Sequence, residues 1–165
     1  MTNVTTSRSA VVTLPTHNQI LITREFAAPK HLVYRAWTTP ELIKRWWGGD
    51  RGEVTSAEVD LRVGGTWRYV MTAHGGFEVA FHGEFREIAD NERIVSTEVY
   101  EGMPEAAPAL TTVAFTEQGG RTTLSQLMQL DSQEVRDAII ASGMEGGMQE
   151  AMDHLEHVAV SLLSH

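Results

Sequence analysis

His154 and His157 stand three residues apart near the end of the chain, with Glu150 and Glu156 beside them. Imidazole and carboxylate groups at that spacing on a helix can hold a divalent cation. Here they fall off the apolar stripe of their segment, among charged neighbours. A solvated helix face is therefore the expectation, and no metal is assigned. His82 sits mid-strand between Phe81 and Gly83. Strand alternation points it away from Phe81 and Phe85, and no carboxylate or nucleophile stands at a readable spacing from it. It reads as an outer-face residue. Glu98 and Arg68 are mid-strand charges for which a cross-strand ion pair is the expected account. Tyr69 is the group expected inside that could carry proton chemistry. Glu98 or His82 would join it only if a bulge reversed their facing. No catalytic residue is assigned, and whether the chain is an enzyme stays open.

The strong signatures are missing. There is no G-x-S-x-G, no P-loop, no H-E-x-x-H and no EF-hand loop. Gly143, Gly146 and Gly147 lack dinucleotide-loop spacing and follow no strand. The chain has no cysteine, which excludes disulfides, thiolate catalysis and cysteine metal sites. A net charge of −9, from 22 acidic against 13 basic residues, argues against a nucleic-acid surface and an anionic membrane surface. No cofactor is implied.

The aromatic and methionine residues point elsewhere. Trp46 and Trp47 end a short helical segment. Trp67, Tyr69 and Met71 share one face of a strand, and Phe81 and Phe85 share one face of another. Met144, Met148 and Met152 lie along one helical stripe. Plain core packing accounts for any one of them. Together they read as the lining of a cavity for an apolar or amphipathic small molecule, with thioethers that adapt and rings that carry polar handles. Trp46 and Trp47 are adjacent, so both cannot point straight inward, and one is expected at a rim.

These residues need elements to place them. With 165 residues and 42% hydrophobic composition, one domain with a substantial core is expected. Residues 1–18 read as an N-terminal extension, loose over 1–9, with a short edge strand over 10–14. Residues 19–165 read as a single domain. The N-terminal stretch lacks an apolar run of signal-peptide length, and no run reaches transmembrane length. A cytoplasmic location follows as the expectation. Residues 19–26 form a strand. Two short helices follow, over 28–37 and from Thr39 to Trp47, the second with Pro40 in its first turn. A meander of strands covers 54–63, 66–73, 78–88, 92–100, 109–115 and 121–130, with Gly83 marking a bend or a close approach. A short helix over 131–141, capped by Asp131, leads into a long amphipathic helix over 142–163, where Ser142 and Glu145 form a capping box. The pattern is α+β: a curved antiparallel sheet of about seven strands gripping a long C-terminal helix.

The stretches ITREFAAPKHLVYRAWTTPELIKRWWGG, DLRVGGTWRYVM, FHGEFREI and IIASGMEGGMQEAMDHLEHV run in that order over nearly the whole chain. They resemble the START-like (SRPBCC) superfamily, and within it the family named after the activator of the heat-shock protein 90 ATPase. That resemblance implies a helix-grip fold with an internal cavity. It also implies a wide range of functions: binding of lipids, hormones or polyketides, cyclase- or hydrolase-type catalysis, or assistance to a chaperone. No universal catalytic residue is carried over. Met148 stands where relatives often have a tryptophan or another large residue, and Gly146 where they usually have a helix former. Each glycine inside a helix costs about 1 kcal/mol relative to alanine. The helix is therefore expected to start after Gly147 or to bend there. The leading expectation is a small-molecule-binding protein. Homodimerisation through a sheet edge or the first hairpin is left open.

Overall fold

The computed structural model describes residues 9–164, so the segment expected to be loose lies almost wholly outside the described residues. Eight strands form one antiparallel sheet. They are β1 (Val11–Thr13), β2 (Gln19–Phe26), β3 (Gly52–Val59), β4 (Thr66–Ala73), β5 (Glu78–Ala89), β6 (Arg93–Tyr100), β7 (Ala109–Gln118) and β8 (Arg121–Gln129). Their order across the sheet is β1-β2-β8-β7-β6-β5-β4-β3, so β1 and β3 are the edges. The meander β3 to β8 joins sequence neighbours by short turns. The last strand then pairs with β2 along its whole length, from Gln19↔Gln129 to Phe26↔Thr122.

Two short helices, α1 (Lys30–Thr38) and α2 (Pro40–Ile43), connect β2 to β3. Because β1 is formed, they follow the second strand rather than the first, and the strands number eight rather than about seven. Thr39 and Pro40 start α2, but its regular part ends at Ile43 and the chain continues in turns to Asp50. Near the end, α3 (Gln133–Ala141) leads into α4 (Met144–Ser161) and a closing 3-10 turn, Leu162–Ser164.

The caps differ from the expectations. Ser132, not Asp131, caps α3: its hydroxyl accepts from the Val135 amide at 3.2 Å. The Ser142–Glu145 capping box does not form, because the Ser142 hydroxyl donates back to the Ile139 carbonyl at 2.6 Å. The break between α3 and α4 falls instead on Gly143, whose φ of +84° is the left-handed conformation that favours glycine. α4 then runs straight through Gly146 and Gly147 instead of beginning after them. A Cβ at Gly146 would come 2.8 Å from Arg51 Nη2, the far end of a half-exposed side chain that can swing aside. Nothing in the surroundings requires Gly147.

The grip on α4 is set by β2. Its residues alternate strictly, so Ile20, Ile22, Arg24 and Phe26 all point into the core. An arginine in that row would be costly if it were unpaired. Arg24 is fully buried and reaches two carboxylates on α4: Asp153 at 2.8 Å and Glu156 at 2.9 Å. Glu156 in turn accepts from the Ala27 amide at 2.9 Å. Leu155, Val158 and Ala159 close the apolar contact around these polar bonds.

Candidate functional site beneath the C-terminal helix

Strand register decides which side chains share the concave face. Trp67, Tyr69 and Met71 on β4 stand opposite Gly83, Phe81 and Val79 on β5. Phe81 stands opposite Tyr100 and Phe85 opposite Ser96 on β6. Glu98 lies between Ser96 and Tyr100 in that row, so it shares their face. On the next strand, Ala109 is opposite Glu98, and Thr111 is opposite Ser96.

Gly83 is what lets this face pack. A Cβ at that position would overlap the Thr97 carbonyl oxygen and come 2.6 Å from the Trp67 indole nitrogen. The indole therefore lies over the glycine, and its ring meets Tyr69 at 4.8 Å. Its N–H and the Thr111 hydroxyl are occluded and have no hydrogen-bond partner among the described residues.

The two adjacent tryptophans divide the work. Trp46 is buried against α1, stacks on Trp37 at 5.0 Å and donates its indole N–H to the Ala36 carbonyl at 2.9 Å. Trp47 turns to the sheet, edge-on to Tyr69 at 5.4 Å and to Phe81 at 5.6 Å. Phe81 extends the row to Tyr100 at 5.1 Å. Thus Trp47, Trp67, Tyr69 and Phe81 form one connected group, and Trp46 packs apart from it. Met71 is buried near the loop, its sulfur 2.9 Å from where a Cβ on Gly48 would sit. Phe85 and Met152 are buried in the core, whereas Met144 and Met148 are half-buried on α4.

Glu98 is the residue that sequence reasoning placed wrongly. Among the described residues it forms no ion pair: Arg68 instead makes a bidentate pair with Glu101, at 2.8 and 2.9 Å. His82 also binds Glu101, at 2.8 Å, on the exposed face where alternation put it. Hydrogen bonds from Arg68 and then His82 hold the Glu101 carboxyl down to about 2. The Glu98 side chain has no such support. Burial alone pushes its carboxyl up to about 7. Burial, and then the Glu98 charge, also push the Tyr69 phenol above its ordinary value. Neither side chain makes a polar contact among the described residues, yet both retain accessible surface. Both groups are thus desolvated without being sealed from solvent. The signal available in RIVSTEVY was parity: Glu98 is in phase with buried Ile94. That signal was blurred because neighbouring Val95 is buried as well.

α4 closes over this face by side-chain clasps at both ends of the sheet. Gln149 bonds both the amide and the carbonyl of Ala10, at 2.9 and 2.8 Å. At the next residue, Glu150 accepts from the Asp50 amide at 3.2 Å and from Arg51 Nε at 3.0 Å. His154 bonds the Asp50 carboxylate at 2.9 Å. Among the described residues, no three histidine, aspartate or glutamate side chains converge as a metal site. Among them, too, no helix is long and apolar enough to cross a membrane.

A curved antiparallel sheet wrapped on one long terminal helix defines a helix-grip protein. The chain belongs to the activator of Hsp90 ATPase homolog 1-like protein family, whose description matches residues 27–159. Solved structures share the fold. A crystal structure from Rhodobacter sphaeroides is 25% identical, with a TM-score of 0.85 over 96% of this chain and 100% of that one. A protein of Nitrosomonas europaea is 22% identical, with a TM-score of 0.82 over 92% and 100%. An AHSA1-like protein of Aeromonas hydrophila is 22% identical, with a TM-score of 0.63 over 83% and 92%. No curated protein matches the chain.

Proposed function

We propose that this chain is a small-molecule-binding protein that holds an apolar or amphipathic ligand between α4 and the concave face of the sheet. One observation carries the reading: Glu98 and Tyr69 are deep, unpartnered and reachable, beside the half-buried rings of Trp47 and Phe81. A packed core would satisfy or exclude such groups. A binding site uses a few of them to orient a mostly apolar guest. Family membership supports a ligand-binding or interaction domain.

The test is equilibrium titration with N-phenyl-1-naphthylamine, an uncharged apolar fluorophore. Saturable one-to-one enhancement is expected. Met148→Trp, which adds bulk on the inner side of α4, is expected to weaken binding at least tenfold. A linear, non-saturating signal from the folded protein rejects the reading.

A second reading has one observation in its favour. A carboxyl near 7 beside a phenol can take and return a proton at neutral pH, as a cyclase- or hydrolase-type enzyme requires. Turnover of a bound compound that follows an ionisation near 7, and disappears in Glu98→Gln with binding intact, would establish it. Binding without turnover leaves the first reading standing.

A further inference from the structure

The recess says something about the charge of what it takes. We propose that its preferred ligand is an organic cation, an apolar body bearing an ammonium group matched by Glu98 and held against the faces of Trp47, Tyr69 and Phe81. The inference rests on the binding reading above and names the chemical class.

The case begins with what surrounds Glu98. On the concave face, the neighbouring strands offer Tyr69 from β4 and Tyr100 beside it on β6, and no base. From β7 come Ala109 and Thr111. Arg24, a buried cation on that face, lies three strands away, and Asp153 and Glu156 already neutralise it. On α4 itself, Glu150 is engaged with Arg51 and His154 with Asp50. Arg68 and His82 lie on the opposite face with Glu101. No cation lowers the Glu98 carboxyl, and burial is the whole cause of its shift.

An interior acid without a countercharge is a site for a positive guest. The rings add to that preference. Trp47 stands edge-on to Tyr69 at 5.4 Å and to Phe81 at 5.6 Å, and Tyr69 and Phe81 are cross-strand partners on the face that Glu98 shares. Their electron-rich faces attract an ammonium group when water is excluded. A carboxylate guest meets the reverse on every count: no cation to receive it, an acid beside it, and ring faces that repel it. The chain's net charge of −9 favours approach of a cation as well.

The experiment is displacement of bound N-phenyl-1-naphthylamine by three eight-carbon chains below their micelle concentrations: octyltrimethylammonium, 1-octanol and octanoate. At pH 8 the cation is expected to bind at least tenfold tighter than the alcohol, and octanoate weakest. Between pH 8 and pH 5.5 the preference for the cation is expected to shrink about tenfold or more. The quaternary ammonium has no proton to lose, so that change reports an acid in the site. Glu98→Gln is expected to abolish the preference for the cation over the alcohol. Equal binding of cation and alcohol at pH 8 overturns the inference while leaving the binding reading intact. A preference that survives Glu98→Gln, or that does not change with pH, overturns it too. If the fluorophore itself does not bind, the binding reading fails instead. The pH series on the unaltered protein decides the matter even if Glu98→Gln does not fold.

Discussion

Trp67 on β4 and Gly83 on β5 are direct cross-strand partners, and the indole nitrogen occupies the space a side chain at 83 would need. This pair sets the floor of the concave face. Gly83→Ala must move Trp67, or push β5 from the Thr97 carbonyl on β6. Overpacking of this kind costs about 1–3 kcal/mol, and more when backbone must shift. A loss at the upper end of that range is expected in urea unfolding, with a changed near-ultraviolet circular dichroism signal from the displaced indole. Gly83→Ala with unaltered stability and spectrum would contradict the packing described.

Arg24 is the polar pin between sheet and helix. Arg24→Met leaves Glu156 buried with its charge unmatched, since Asp153 is exposed and can turn to water. Breaking a buried pair from one side costs about 3–5 kcal/mol. Arg24→Met combined with Glu156→Gln is expected to recover a good part of that loss. Chemical denaturation of the single and double variants checks it, and a double variant no better than the single one would show that packing, not charge, dominates.

Glu98 makes stability depend on pH in an identifiable direction. Its folded-state value, about 7, lies above its ordinary value of 4.5. The folded form therefore holds the proton more tightly than the unfolded form. Between those two values the unfolded chain binds fewer protons, so stability falls as pH rises through that window, and the loss is complete above about 7. Glu98→Gln removes this dependence. The variant is expected to gain on the parent as pH goes from 5 to 8, by up to about 3 kcal/mol. Thermal unfolding across that range measures it, and parallel curves for the two proteins would show that Glu98 is not desolvated.

Trp46 and Trp47 separate structure from binding. Trp46→Phe removes the hydrogen bond to Ala36 in a buried setting, where an unmet polar group costs about 1–3 kcal/mol. Trp47→Phe keeps an aromatic ring and breaks no hydrogen bond, so its stability is expected to change by less than about 1 kcal/mol. Its binding of N-phenyl-1-naphthylamine is expected to weaken severalfold, while Trp46→Phe binds as before once folded. The reverse pattern would exchange their roles.

How far the sequence reached depended on how each signal was written. The strand read over 19–26 forms with those bounds as β2. The phase of TWRYVMTA grouped Trp67, Tyr69 and Met71, and Gly83 marked a close approach, as the clash with Thr97 shows. Parity also sent His82 outward. The failures share a cause: each turned on a tertiary contact that local pattern does not encode. Glu98 was assigned an ion pair because charged strand residues usually find one, but Glu101 lies three residues later and takes the arginine. The helix over 142–163 was expected to begin late or bend at its glycines. Gly146 and Gly147 stay helical, and Glu150 beside them is tied to Asp50 and Arg51, about a hundred residues away. The choice between Trp46 and Trp47 turned on the Ala36 carbonyl, which periodicity cannot see.

The clasps of Gln149 and Glu150 have a mechanical consequence. β1 and β3 are the two free edges of the sheet, and α4 ties the chain beside one to the chain beside the other within two successive residues. The sheet is thus closed into a ring by side chains where a barrel would use backbone. A ring of that kind opens at one seam. Lifting the second turn of α4 would release Ala10 and Asp50 together, so their amides should exchange with solvent as a single event.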